Sequence, residues 1–296
     1  MLHDGLLIID KPAGITSAEV VRAVKQHLRC KTGHLGTLDP FATGVLPLCL
    51  GEGTKIAQFL NDADKEYVGL IRLGRETDTG DLTGRVTATA PLPALTAAEI
   101  AGMAERFCGS VQQVPPMYSA IKRAGTPLYK LARQGLVVER AARPVEIRSL
   151  ALSLQDDANI AFTVVCSKGT YVRVLAQEIA AALGSLGYLE ALRRTRFGQF
   201  GLAQAIPLAA LATQPPHVIG LREALGHLPE ICVDAAAAAR ARQGYEPLLG
   251  AMRWPAHTDT VKVVDPGGRL AAVVVTDPSG RRRFGRVFAG AGDEAL

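Results

Sequence analysis

The sequence predicts an α+β protein, and three features lead there. Short β-branched or aliphatic runs, "GLLIID", "KEYVGLIRLG" and "NIAFTVVC", alternate with stretches that carry helix-start signals. The texture changes over residues 207–230, where "IPLAALATQPPHVIGLREALGHLP" is proline-punctuated and has little periodicity. The tail then holds the strand-like runs "TVKVVD", "LAAVVVTD" and "RFGRVF", separated by Pro, Gly and Asp turns. Two units are therefore expected, residues 1–229 and residues 230–296, the second small and β-rich. A chain of 296 residues suits that division at roughly 100–200 residues per domain.

Each element has a local cause. "GLLIID" is a buried-strand candidate closed by Lys11-Pro12 and Gly14. Thr16 and Glu19 form a capping box, and the helix it opens runs to about Cys30, with Val20, Val21, Val24 and Leu28 on one face. "TKIAQFL" reads as a short helix. "KEYVGLIRLG" (65–74) and "TGRVTATA" (83–90) read as strands around the polar turn "ETDTGD". Thr96 and Glu99 make a second capping box before a helix through Phe107. Residues 114–148 are irregular and basic. "NIAFTVVCSKGTYVRVLAQEIAAALG" reads as strand, tight glycine turn and helix, and "DAAAAARAR" as a helix.

Composition narrows the classes of function. Hydrophobic residues make up 48% of the chain and aromatics only 5%, so an aromatic at a polar, irregular site is informative. The net charge of +5 is spread over both parts and is compatible with a polyanionic partner. The five cysteines (Cys30, Cys49, Cys108, Cys166 and Cys232) are scattered, with no CxxC pair and no metal-ligand spacing to the six histidines. Free thiols in a reducing, cytoplasmic compartment are the expectation. "MLHDGLLIIDKPAG" has no signal-peptide pattern, and no apolar run reaches the ~18–20 residues that span a bilayer. The acids of "ETDTGD" (Glu76, Asp78 and Asp81) lack EF-hand spacing, so no metal is expected there.

One loop carries the chemical question. "GHLGTLDPFATGVLPLCLGEGTK" (33–55) is broken by Gly33, Gly36, Gly44, Gly51 and Gly53, so it is neither one helix nor one strand. Asp39 is its only acid before Glu52, and Pro40 biases Asp39 to an extended or turn conformation. By itself Asp39 reads first as an aspartate that caps a helix or closes a turn. Tyr67 alternates onto one face with Gly69, Ile71 and Leu73 and reads as core, and Leu192 reads as a helix-core leucine. Tyr171 follows the tight turn "SKG" and reads less as core, Arg173 reads as a solvated residue at a helix start, and His34 as a surface or satisfied histidine.

Taken together, "LIIDKP", "GHLGTLDPFATGVLPLCLGEGTK", "DKEYVGLIRLGRETDTGD", "PPMYSAIKRAG" and "CSKGTYVRVLAQEIA" closely resemble, in order, the blocks of the bacterial tRNA pseudouridine-55 synthases, the TruB family. The resemblance covers about residues 5 to 205 and the tail more loosely. It implies a pseudouridine synthase fold, a mixed and mainly antiparallel sheet flanked by helices with an RNA-binding cleft, followed by a PUA-like C-terminal domain. It implies isomerisation of one uridine in the T arm of tRNA, and the expectation is a stand-alone, cytoplasmic monomer that uses no cofactor, no metal and no obligatory protein partner. Asp39 then matches the catalytic aspartate, and Arg173 the arginine that pairs with it. Tyr67 would stack on the flipped base, Tyr171 would line the site, and Leu192 would pack near the target nucleotide. His34 would help hold the opened RNA loop. Lys122, Arg123, Lys130, Arg133, Arg193, Arg194 and Arg196 are candidates for phosphate contacts. Two other readings compete: a non-catalytic RNA-binding or RNA-folding module, and a synthase directed by a guide RNA with partner proteins.

Overall fold

The computed structural model of the protein describes residues 4–123 and 125–289. The expected domain limits at residues 1 and 296 lie outside that range.

The first strand sets the frame. β1 (Gly5–Lys11) buries Leu6 and Ile8 in one cluster and Leu7 and Ile9 in another, as the two-residue period of a strand covered on both faces requires. It pairs antiparallel with β3 (Thr43–Leu50) along its whole length, from Gly5↔Leu50 to Lys11↔Gly44, and β2 (Thr32–His34) adds to the other side of β3. β4 (Lys65–Leu73) lies further in the same sheet, and the hairpin of β5 (Arg75–Thr77) and β6 (Val86–Thr89) follows it. β7 (Gly109–Gln113) ends the sheet, and β8 (Lys122–Arg123) with β9 (Thr126–Pro127) forms a separate short hairpin. β10 (Arg143–Asp156), β11 (Asn159–Cys166), β12 (Gly187–Phe197), β13 (Phe200–Gly201) and β14 (Ile206–Pro207) complete the sheet. Its order is β14-β1-β3-β12-β4-β11-β10-β7, with β2 on β3 and β13 on β12. The pairings are antiparallel except β1 with β14 and β12 with β3.

The helices sit where their caps predict. Thr16 and Glu19 close a capping box on the helix Ser17–Leu28, which ends at Arg29 in the left-handed conformation. Thr96 and Glu99 do the same for Ala97–Met103, and a 3-10 turn continues to Phe107. The helix Val172–Ala182 buries Val172, Leu175, Ala176 and Ile179 against the sheet. The C-terminal sheet runs β15 (Glu230–Cys232), β16 (Thr260–Val264), β17 (Leu270–Thr276) and β18 (Arg282–Val287). Its Leu270 and Val273, with Phe288, join the core cluster of Leu6, Ile8 and Phe197, so it covers the second face of the main sheet. The alanine run forms the helix Ala235–Arg242, capped by Asp234.

Three expectations change. Leu192 lies in β12, not in a helix. "LEALRRTRF" is rich in helix-forming residues, but its place between β3 and β4 overrides that preference. Residues 114–148 are not irregular throughout, since they hold the helix Leu128–Arg133 and the start of β10. β15 has no counterpart among the expected strands. It is three residues long and gains its partner only through parallel pairing with β16.

Candidate active site

The glycine-broken loop is fixed on both sides of Asp39. Before it, Ser17 Oγ donates to Leu38 O at 3.0 Å, and Leu38 N lies 2.9 Å from the same oxygen. After it, Pro40 O accepts from Gly14 N at 2.9 Å and from Lys11 Nζ at 3.1 Å. Lys11 is fully buried. Its ammonium also donates to Pro12 O and Ile15 O, at 2.8 and 2.7 Å, so all three donors are used, and burial lowers its pKa to about 8. Gly44 closes the loop onto the sheet at φ +102°, where a Cβ would lie 2.1 Å from Arg194 O, so only glycine fits.

Thus held, Asp39 faces Arg173 rather than capping a turn. Arg173 Nε donates to Asp39 Oδ2 at 2.8 Å, and Nη2 reaches Oδ1 at 3.5 Å. The guanidinium is 4% exposed, although it projects from the first turn of its helix. Its other donors go to Thr79 O at 2.6 Å and Tyr118 O at 2.7 Å. A planar fork can meet four acceptors in this way, and a lysine cannot.

Asp81 completes the cluster and was missed in the sequence, where it reads as one more acid in a polar turn. It is 5% exposed, and its Oδ2 lies 3.9 Å from Arg173 Nε. Its Oδ1 accepts from Thr79 Oγ1, Thr83 N and Thr83 Oγ1, which ties the turn together and presents Thr79 O to Arg173. Two acids thus share one buried cation. About a third of the Asp39 side chain (35%) faces an open cavity, yet protein surrounds the rest. Burial pushes the Asp39 carboxyl above the ordinary aspartate range, the Arg173 charge pulls it back, and the Asp81 charge adds to the rise.

The cavity, about 390 Å³, is lined by Asp39, Tyr67, Tyr171, Arg173, Leu192 and Arg194 among others, a size that suits a small ligand. Tyr67 is core and wall at once. It packs in the main cluster from β4, and burial raises its phenol pKa. Tyr171 is the residue before the helix, and the buried Gln113 fixes its backbone. Gln113 Oε1 accepts from Tyr171 N at 2.7 Å, and Nε2 donates to Tyr171 O at 3.2 Å. Ser119 also lines the cavity, buried, with its hydroxyl toward Tyr171. His34 is not in the lining. It is half-buried on β2, its Nδ1 without a partner among the described residues, and burial lowers its pKa. A larger hollow of about 750 Å³ against Phe162 and Arg193 shares only Leu192 with this cavity and does not reach Asp39.

The family model described as "TruB family pseudouridylate synthase (N terminal domain)" matches residues 22–172. The chain belongs to that family. A protein named tRNA pseudouridine synthase B from Aromatoleum aromaticum is 50% identical over 247 residues, 81% of this chain and 80% of that one. One of the same name from Psychrobacter cryohalolentis is 50% identical over 217 residues, 71% of this chain but 60% of that longer one. A chain from the structure of an H/ACA RNP bound to a substrate RNA containing 2'-deoxyuridine aligns over 98% of this chain and 87% of its own, at a TM-score of 0.71 and 22% identity. That likeness is one of fold, and the fold is that of the pseudouridine synthases.

Within the family frame, five of the six residues singled out in the sequence meet at one cavity: Asp39, Tyr67, Tyr171, Arg173 and Leu192. Besides Asp81, Lys11 and Gln113 also escape a reading of the sequence, because their roles arise only from contacts across the fold. Among the described residues, no helix is long and apolar enough to cross a membrane.

Proposed function

We propose that this protein isomerises a uridine of tRNA to pseudouridine, and that the target is position 55 in the T loop. The observation that carries this reading is the Asp39 carboxylate, gripped by Arg173 at the wall of a nucleotide-sized cavity that also presents Tyr67. In this reading the target nucleotide leaves its stack and enters the cavity, where Tyr67 offers a flat face to the base. Asp39 acts on the sugar while the N1–C1′ bond breaks, either as a nucleophile at C1′ or as a base. The base turns, C5 bonds to C1′, the C5 proton leaves to solvent and N1 takes up a proton. Arg173 keeps the carboxylate ionised and aimed. Tyr171 and Leu192 shape the wall, and His34 contacts the RNA outside it. Residues 1–229 would form the catalytic unit and residues 230–296 a PUA-like RNA-binding unit. The enzyme would work as a cytoplasmic monomer without metal, cofactor or obligatory protein partner.

The test uses unmodified tRNA transcripts carrying tritium at C5 of uridine. Wild type should release tritium and place one pseudouridine at position 55, and Asp39→Asn should release none. Equal release by both removes Asp39 from the chemistry. Binding without release by well-folded wild type leaves an RNA-binding module.

A further inference from the structure

We propose that Arg194 and Lys65 form a phosphate subsite of the same cavity, gripping the phosphodiester next to the flipped nucleotide. This rests on the uridine-isomerase reading and adds to it two cavity-lining cations that no acid pairs.

Arg194 is 1% exposed and stands first among the large, fully buried side chains. The β12 register sets it between Gly44 of β3 and Tyr67 of β4. Its Nε donates to Val45 O at 2.7 Å, and its Nη2 to Gly36 O at 2.9 Å. The guanidinium also approaches the Tyr67 hydroxyl, and among the described residues no carboxylate lies within 4.0 Å of it. Lys65 is 6% exposed, and its ammonium donates only to Asn61 O, at 3.0 Å. It too has no carboxylate within 4.0 Å among the described residues. Both cations stand over the Phe197 ring, its centroid 4.7 Å from Lys65 Nζ and 5.4 Å from the Arg194 guanidinium carbon.

A buried cation without a counter-charge is costly, and proteins supply a partner. The other buried cations of this chain are matched: Arg173 meets Asp39, Lys262 meets Glu230, and Lys11 spends all three donors on carbonyls. Arg194 is held instead by two carbonyls and Lys65 by one, and both stand over the Phe197 ring. Each keeps donors in hand, and both line the cavity. Tyr67, on the wall of the same cavity, feels the charges of both Arg194 and Asp39. A nucleotide drawn into such a cavity brings its own phosphates. The acids Asp39 and Asp81 repel them, and the two cations without a paired acid attract them. Charge-assisted bonds from a guanidinium and an ammonium are the usual means of holding a phosphate.

The experiment uses T-arm RNA hairpins in which one phosphate is made a neutral methylphosphonate. It is placed on the 5′ side of the target uridine, on its 3′ side, or in the stem as a control. Binding is measured with wild type and with Lys65→Met. For wild type, one flanking substitution should weaken binding by about tenfold, and the stem control by less than twofold. Lys65→Met should bind the ordinary hairpin more weakly and lose no more than twofold further at that same flank. Neutral linkages on both flanks that leave wild-type affinity within twofold overturn the proposal, as do losses that multiply fully in Lys65→Met at both flanks. Should Lys65→Met fail to fold, the wild-type contrast between flank and stem decides alone. Tritium release from the ordinary hairpin reports separately on the isomerase reading. An RNA that binds without release sinks that reading and leaves the subsite to the binding data, and one that does not bind sinks both.

Discussion

Asp39→Asn should abolish isomerisation and at the same time leave the protein as stable as wild type or more so at pH 7. The sign follows from the direction in which the fold moves the Asp39 carboxyl. Burial raises its pKa above the ordinary 3.8, so the folded protein prefers the protonated form to a greater degree than the unfolded chain does. A raised acid contributes stability that is fully present below the unfolded pKa and is lost as pH rises through the folded pKa. At pH 7 the ionised carboxylate therefore carries a deficit, which a neutral asparagine of the same shape removes. Solvent at the open third of the side chain screens part of that deficit, so the gain should be small, and its sign is what the measurement reads. Asparagine Oδ1 can still accept from Arg173 Nε, so the buried guanidinium is not stranded. The assay is chemical denaturation of both proteins at pH 7 and again near pH 4. The asparagine advantage should shrink as pH falls through the raised pKa. A loss of more than about 1 kcal/mol at pH 7 would refute the reasoning, because the ion pair would then outweigh the burial of its charge.

Other substitutions probe the scaffold. Arg173→Met should cost roughly 3–5 kcal/mol by leaving Asp39, Thr79 O and Tyr118 O without their donor, read as a lowered denaturation midpoint with no tritium release. Gly44→Ala should cost at least about 3 kcal/mol, since the new Cβ meets Arg194 O at a backbone angle alanine avoids, and soluble yield with melting temperature would report it. Gln113→Leu frees the Tyr171 backbone and should lower turnover by roughly ten- to hundredfold through misplacement of the site wall, measured as kcat in the tritium assay.

The parts of the site that were legible in the sequence are those whose constraint is local. The Thr16–Glu19 and Thr96–Glu99 boxes, the two-face burial of "GLLIID" and the strand–turn–helix around Tyr171 each follow from neighbouring residues. The pair of Asp39 with Arg173 is separated by 134 residues, and only the order of family-like blocks pointed to it. Leu192 misled because helix preference says nothing about the strands on either side. Asp81, Gln113 and Lys11 carried no signal, because a buried polar residue looks like any other until its partners are known. Lys11 shows the limit most plainly: a lysine before proline reads as a strand end, yet three carbonyls hold it in the core beside the loop of Asp39.

Asp81 offers the means to separate the placement of Arg173 from the electrostatics of Asp39. All three of its hydrogen-bond donors, Thr79 Oγ1, Thr83 N and Thr83 Oγ1, meet Oδ1, and an asparagine keeps that oxygen. Asp81→Asn should therefore fold normally while removing one negative charge beside Arg173. Two consequences follow with opposite signatures. The guanidinium loses one of the two acids that fix it, so turnover falls. The Asp81 charge is also one cause of the raised Asp39 pKa, so its removal moves the acid limb of the pH–rate profile to lower pH. Arg173→Lys does the reverse, because a weaker grip on Asp39 moves that limb upward while turnover also falls. A purely structural defect lowers turnover without moving the limb in either direction. An Asp81→Asn profile whose acid limb stays in place, or moves to higher pH, would show that the two carboxylates do not share the field of Arg173 as their positions require.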